Sequence, residues 1–420
     1  MGFKFLHCAD LHLDSPLVGL SRWTDAPTDR LRSATRRAMD NLVQYAIEEN
    51  VRFVVVAGDV YDGDWPDYTT GLFFNARMAE LGRAGIRVFL ASGNHDAASQ
   101  ITRHLVLPDN VTRFAVDRPQ THVIDDLAVA VHGQGFSERE VRDNLVPGYP
   151  PPLPGHFNIG VLHTAVEGQG GHEAYAPCRL ADLVDQGYDY WALGHIHRRQ
   201  VLSKSPWVVY SGNLQGRHSR ETGAKGAVLV QVEGSAVSLQ FAPLDVVRWH
   251  ECRVNLEDAN TDADFFERVA ASVAEYTEAS TLPLVLRVVL EGSTALHGAL
   301  LADRERYDNE IRNAAMAVAS DDRVWIEKVL IGTTSLSQGV RGLASDEAMA
   351  LVTANLDAIE ADEEFLAEFL RHAQGIQTRM GAYTRTEDAT QLAALDDVRL
   401  LLPETREFLM TLLTKGVRVP

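Results

Sequence analysis

Five short motifs carry residue types able to hold cations against an oxyanion. They are Asp10-Leu11-His12, Gly58-Asp59-Val60-Tyr61-Asp62, Gly93-Asn94-His95-Asp96, His163 and Gly194-His195-Ile196-His197. An Asp-x-His or His-x-His leaving a strand puts two donors on the same side of the chain, because residues two apart face the same way. Carboxylate, amide and imidazole form a mixed oxygen and nitrogen set without thiolate, which suits Mn²⁺, Fe²⁺ or Zn²⁺ better than a soft metal. Two such ions held ~3.5–4 Å apart can clamp a phosphate, lower the pKa of a bridging water and stabilise an in-line displacement. Asp59, with Gly58 beside it for close approach, is the carboxylate expected to bridge them. A lone His-x-His is a weak signal. Five motifs in order, each leaving a strand, are a specific one.

The elements that must position these motifs are legible as apolar runs. Strands are expected at Phe3–Cys8, Phe53–Ala57, Val88–Ala91, Ile159–Leu162 and Tyr190–Leu193, and each motif follows one of them. Ligands of open α/β sheets gather at such strand ends. Helical spacing links Leu31, Ala34, Ala38, Leu42, Tyr45 and Ala46, and again Leu72, Phe73, Ala76 and Ala79, with Gly82 and Gly85 suited to a C-cap. Runs at Val123–Val131, Val208–Tyr210, Ala227–Val232 and Val237–Phe241 have short turns and no helices between them. They read as a second, largely antiparallel sheet packed on the first. The fold class expected for residues 1–245 is therefore α/β, a two-sheet sandwich flanked by helices.

The Pro-rich stretch Pro147–Pro154 reads as a surface loop inside that domain. A change comes near Pro243–Trp249. Residues 246–334 follow as strand Glu251–Leu256, helix Asp262–Glu275, strand Leu284–Leu290, helix Ala302–Ala317 and strand Val324–Leu330, a small α+β domain. Residues 335–420 are helical and acidic, with Leu351, Leu356, Ile359, Phe365, Phe369 and Leu370 spaced for one apolar face.

The net charge is −19, awkward for a nucleic-acid enzyme. Beyond residue 245, however, 17 Lys and Arg face 30 Asp and Glu, so most of the excess lies outside the motif-bearing part. Two divalent ions would add four positive charges there. Cys8, Cys178 and Cys252 are far apart and lack ligand spacing, which suits reduced thiols. No run approaches the roughly 18 apolar residues of a membrane span, and the strand at Phe3 leaves no room for a signal peptide. A cytoplasmic protein is expected.

The motif order resembles the calcineurin-like metallophosphoesterase superfamily. Within it, the chain is similar to DNA repair nucleases of the SbcD-like and, more closely, YhaO-like families. The text that carries the resemblance includes Phe5-Leu6-His7-Cys8-Ala9-Asp10-Leu11-His12-Leu13, Tyr190-Trp191-Ala192-Leu193-Gly194-His195-Ile196-His197, Tyr210-Ser211-Gly212-Asn213-Leu214-Gln215-Gly216-Arg217-His218 and Glu221-Thr222-Gly223-Ala224-Lys225-Gly226. It covers residues 1–245 well, while the small domain resembles the capping domain of these nucleases in position and pattern only. The resemblance implies one ion on Asp10, His12, Asp59 and His197 and a second on Asp59, Asn94, His163 and His195. It implies Mn²⁺ first, with Fe²⁺, Zn²⁺ or Mg²⁺ as alternatives. His95 then matches the histidine that contacts the scissile phosphate and protonates the leaving oxygen, and Asp62 the carboxylate that orients it. An imidazole beside a carboxylate keeps its charged form and a fixed tautomer, as a general acid needs.

Other residues weigh towards plainer roles. His7 and His132 read as core histidines, and Asp96 as a partner for loop amides. Arg217, His218, Arg220 and Lys225, in a Gly-bounded loop, either line a phosphate path or are simply solvated. Arg30, Arg32, Arg36 and Arg37 track a DNA backbone or form a wet helix face; Tyr61 and Trp65 stack on a base or pack in the core or at its rim. The resemblance implies a 3′→5′ DNA exonuclease, with single-strand endonuclease activity, working as a homodimer on an SbcC-like or YhaN-like coiled-coil ATPase. A small-nucleotide phosphatase or phosphodiesterase is one alternative. A non-catalytic DNA-end scaffold is the other, and the complete ligand set argues against it.

Overall fold

The computed structural model describes residues 2–15, 33–62, 68–98, 105–167, 175–318, 323–335, 346–380 and 394–414. Arg30, Leu31, Arg32 and Trp65 lie outside the described residues. Contacts divide the chain into two compact units, the first comprising residues 1–251, 277–287 and 321–327, the second the remainder.

In the first unit, near-continuous apolar runs form strands buried on both faces. One six-stranded sheet has the order β12 (Ala236–Pro243), β11 (Gly226–Glu233), β1 (Gly2–Cys8), β2 (Phe53–Ala57), β3 (Arg87–Ala91), β4 (Val111–Arg113). The other runs β5 (Gln120–Ile124), β6 (Val129–Gly133), β7 (Phe157–His163), β8 (Tyr190–Gly194), β10 (Trp207–Tyr210), β9 (Gln200–Lys204). Alternate residues meet between the sheets: Phe5, Phe53, Val55 and Phe89 from one, Val131, Ile159, Val161 and Tyr190 from the other. Phe5 and Phe53 stack at 4.9 Å, with Tyr190 edge-on to Phe5 at 5.3 Å. The opposite alternation (Leu6, Val54, Val56, Val88) packs under helices α1 (Ala34–Glu48) and α2 (Thr69–Arg83) through Ala38, Leu42, Phe74 and Met78.

The assignment of strands to sheets differs from the sequence-based expectation. Strands β7 and β8 belong to the second sheet, whose middle is parallel, β6 to β7 to β8 to β10. Strands β11 and β12 instead extend the first sheet antiparallel to β1. An apolar run states that both faces of a strand are covered and says nothing of its lateral neighbour. The run Val123–Val131 is two strands, β5 and β6, joined by a 3₁₀ turn at Asp125–Leu127.

Strands β13 (Arg248–Asn255), β14 (Leu284–Thr294) and β15 (Val324–Ser335) form a three-stranded sheet. In the second unit, Phe265 of the helix Asp262–Ala279 meets Tyr307 of the helix Arg304–Val318 edge-on at 5.0 Å. The helix expected over Ala302–Ala317 is found at Arg304–Val318, and a short helix the sequence reading did not include, His297–Ala302, precedes it. Three further helices span Asp346–Ala361, Glu363–Met380 and Leu395–Thr414. Among their described residues, those buried are Leu356, Leu366 and Val398, whereas Phe365 and Phe369 face solvent. The expected apolar face is thus displaced by one residue in the middle helix. Among the described residues no helix is long and apolar enough to cross a membrane.

Candidate metal centre

The motifs meet at the C-terminal ends of β1, β2, β3, β7 and β8. Leaving β1 and β2, the two loops run side by side: Asp10 N–H donates to Gly58 O at 3.0 Å, His12 N–H to Asp59 O at 3.1 Å and Leu13 N–H to Val60 O at 2.9 Å. The loops hold Asp10, His12, Asp59 and His195 in left-handed backbone, at φ 53°, 42°, 52° and 98°. Non-glycine residues take that conformation at a cost and mostly where function aims a side chain. Gly58, also at positive φ, leaves the room that the His163 ring occupies. Gly194 lets β8 approach the carbonyl of Ala57. A Cβ at either position would drive the sheets apart.

Donor atoms converge in three overlapping groups: Asp10, His12 and His197; Asp10, Asp59 and His163; His12, Asp62 and His95. Asp59 Oδ2 lies 3.4 Å from His163 Nε2 and 3.8 Å from His12 Nε2, between the two imidazoles. Its Oδ1 accepts the His95 N–H at 2.9 Å. Asp10 accepts the His195 N–H at 3.1 Å through both oxygens. The His195 ring stands 5.3 Å from that of His163.

The donor chemistry fits divalent cations. His163 Nδ1 faces the Ala57 carbonyl at 3.0 Å, so it carries the proton. Its Nε2 is then a lone pair 3.0 Å from Asn94 Oδ1, with Asp59 Oδ2 nearby. His12 and His197 likewise meet nitrogen to nitrogen, Nε2 to Nε2, at 3.2 Å. With each ring neutral and its proton on Nδ1, these nitrogens would turn lone pairs towards one another and towards the carboxylates, an arrangement that suits a cation. Asp10 and Asp59 are buried, and among the described residues their ion-pair partners are imidazoles, with no Lys or Arg. Burial raises the Asp10 carboxyl pKa. Burial opposes protonation of His163, but the Asp59 and Asp10 carboxylates outweigh it and push its pKa up to about 9.

His95 sits at the rim, half-buried, with Nδ1 3.0 Å from Asp62 Oδ1. Burial works against its charged form, yet the Asp62 hydrogen bond and the Asp59 charge win, and its pKa is raised. Asp62 also lies 3.3 Å from His12 Nδ1 and accepts Ser15 Oγ–H at 2.6 Å.

The loop after β10 is placed against the cluster. Arg217 Nη1 is 3.6 Å from Asp62 Oδ1 and donates to Ser15 Oγ at 3.2 Å. His218 Nε2 lies 3.4 Å from Glu221 Oε1, and Arg220 is exposed. Lys225 is buried, and its ammonium donates to the His197 carbonyl at 3.2 Å. Glu221 escaped the sequence reading, which weighed only the basic residues of that loop. It is buried and meets His197 Nδ1 at 2.5 Å. The available signal was one acid among four bases beside a Thr-Gly turn.

The plainer residues behave as the sequence suggests. His7 bonds Tyr190 Oη and the Leu193 carbonyl, and His132 lies between Thr121 and Asn158. Asp96 accepts the N–H groups of Tyr61 and Gly93. Tyr61 is buried edge-on to Phe74, and Arg36 pairs with Asp14, leaving Arg37 exposed. Beside the cluster opens a cavity of about 490 Å³, lined by Ser92, Asp96, Arg113, Phe114, Phe136 and Ser137 among others. Phe136 stands edge-on to His163 at 5.5 Å.

This fold and this cluster define a calcineurin-like phosphoesterase, and that family matches residues 3–199. Phosphoesterases of this type use divalent metals. The middle domain of the metallophosphoesterase YhaO matches residues 249–334. Over 326 residues the chain is 33% identical to "Uncharacterized metallophosphoesterase YhaO" of Bacillus subtilis, covering 76% of this chain and 79% of that one. It therefore belongs to the YhaO-like metallophosphoesterase family. More distant relatives bear the name "DNA double-strand break repair protein Mre11". That of Sulfurisphaera tokodaii is 20% identical over 73% of this chain and 78% of its own length. That of Methanopyrus kandleri is 24% identical over 58% and 57%.

Proposed function

We propose that this chain is a DNA phosphodiester hydrolase with two divalent ions, Mn²⁺ foremost, working 3′→5′ on DNA ends and also cutting single strands. Asp10, His12, Asp59 and His197 would hold one ion, and Asp59, Asn94, His163 and His195 the other. Bound there, the pair would supply charge to the phosphate and a nucleophilic water. The observation that carries the reading is the His95–Asp62 pair, 3.0 Å apart at the rim of a buried acceptor cluster. With Nδ1 engaged by Asp62, His95 presents Nε2–H outward and can pass that proton to the leaving 3′ oxygen. Asp62 keeps the ring oriented and favours its charged form. The distant likeness to the two Mre11 proteins supports DNA as the substrate. In this reading the chain works as a homodimer, and the helices of residues 346–414 form an arm for a long coiled-coil ATPase.

Purified chain with Mn²⁺ should shorten linear DNA labelled at its 5′ end into a 3′→5′ ladder, and His95→Gln should abolish the ladder. A second reading, a phosphatase or phosphodiesterase for small nucleotides, is favoured by the 490 Å³ cavity beside the cluster, large enough for a nucleoside. Rapid turnover of nucleoside phosphates by the same preparation, with linear DNA intact, would decide for it.

A further inference from the structure

We propose that Glu221 and Arg217 are positioning residues that pre-set the half of the centre formed by Asp10, His12 and His197; the inference rests on the two-ion reading above. For His12 and His197 to offer lone pairs from facing Nε2 atoms, each ring must keep its proton on Nδ1. A metal-bound imidazole commonly gives that proton to a carboxylate, which fixes both tautomer and ring plane. His197 has one in contact: its Nδ1 meets Glu221 Oε1 at 2.5 Å. His12 has one nearby, Nδ1 lying 3.3 Å from Asp62 Oδ1 without hydrogen-bond geometry.

The two carboxylates are themselves tied together. The Arg217 guanidinium lies between them, Nη1 3.6 Å from Asp62 Oδ1 and Nη2 3.5 Å from Glu221 Oε1. Ser15 closes the circuit, accepting from Arg217 Nη1 at 3.2 Å and donating to Asp62 Oδ2 at 2.6 Å. The other oxygen of Glu221 accepts Asn213 Nδ2 at 2.9 Å and the Arg217 backbone N–H at 2.7 Å. Glu221 is thus held on every side, and its position dictates that of His197. Arg217, only 12% exposed, is committed to carboxylates of the centre before any phosphate arrives. One guanidinium couples the ring that faces the ion to the pair that moves the proton.

His163, by contrast, takes its tautomer from the Ala57 carbonyl. The two halves of the centre should therefore respond differently. The test uses the full chain, stripped with chelator and titrated with Mn²⁺ by calorimetry, with bound ions counted by electron paramagnetic resonance. Glu221→Gln should weaken one of two ions about 10–100-fold and leave the other alone, the usual effect of losing a carboxylate behind a metal-bound histidine. Ring ¹⁵N spectra of the ion-free protein should show the His197 Nδ1–H tautomer in the wild type and a tautomer mixture in the variant. Arg217→Met, which spares the backbone hydrogen bond to Glu221, is the second variant, expected to weaken the same ion. Wild-type affinity for both ions in either folded variant, with an unchanged tautomer, overturns the positioning role alone. A wild type that binds no Mn²⁺ overturns the two-ion reading itself, and this role with it.

Discussion

Removing the ions should invert the pH dependence of stability, and His163 is the residue that makes the inversion measurable. In the ion-free protein its pKa rises from an ordinary imidazole value of about 6.5 to about 9, against burial and through Asp59 and Asp10. A group whose pKa is raised by folding contributes stability that is complete below its unfolded value and lost as pH climbs through the folded one. Ion-free protein should thus lose stability between about pH 6.5 and 9, by at most about 3 kcal/mol at roughly 1.4 kcal/mol per pH unit. For a unit of this size a loss of that order lowers Tm by about 6–12 °C. With Mn²⁺ the sign reverses, since ions compete with protons for the imidazole and win as pH rises. Each ion at about 100 times its Kd adds about 2.7 kcal/mol. The assay is thermal unfolding by circular dichroism across about pH 7.5–9, in chelator and in Mn²⁺, beside a His163→Asn variant whose chelator profile should be flatter. That range lies above the one in which His7 and His12, their pKa values lowered to about 3 by burial, still add stability with rising pH. A wild-type profile in chelator that is flat or rising, or one that Mn²⁺ leaves unmoved, refutes the electrostatic account of the centre.

Further outcomes follow from single contacts. His95→Gln should lower kcat about 10²–10⁴-fold with Mn²⁺ content unchanged, by steady-state kinetics and metal analysis together. Asp62→Asn removes the hydrogen bond that raises the His95 pKa, so the alkaline limb of the pH–rate profile should move to lower pH. Phe74→Ala removes a fully buried ring beneath Tyr61 and should cost about 3–5 kcal/mol in denaturant unfolding. Gly194→Ala sets a methyl against the Ala57 carbonyl, so the variant should fail to bind Mn²⁺ and melt well below the wild type.

The strands that launch the motifs, and the motif residues themselves, were readable from the chain alone. Apolar runs of four to seven residues ending in Asp, Asn or His announce buried strands whose loops must carry polar groups. Burial on both faces leaves its mark in composition, so β2 (Phe53–Ala57) appears with its observed bounds. Hydrogen-bonded neighbours leave no such mark. Hence β7 and β8 were expected beside β1 and in fact sit in the opposite sheet, and His163 and His195 reach the centre from across the sandwich. The helix Glu363–Met380 shows the same limit. Phe365 and Leu366 are equally apolar, and only the packed neighbours decide that Leu366 is inside.

Glu221 and Lys225 mark the boundary most clearly. By type, Lys225 suited either a phosphate path or solvent and Glu221 was given no role of its own, yet the fold turns the lysine onto a backbone carbonyl and the glutamate onto His197. A side chain's type sets which bonds it can make and how much burial costs it, and both are properties of the residue. Which partner stands within 3 Å depends on residues dozens to nearly two hundred positions away, brought together only when two sheets close on a shared core. For this protein the chain alone dictated the inventory of donors and the strand ends that carry them. The closing of the sheets decided which imidazole faces which carboxylate, and so where positive charge is wanted.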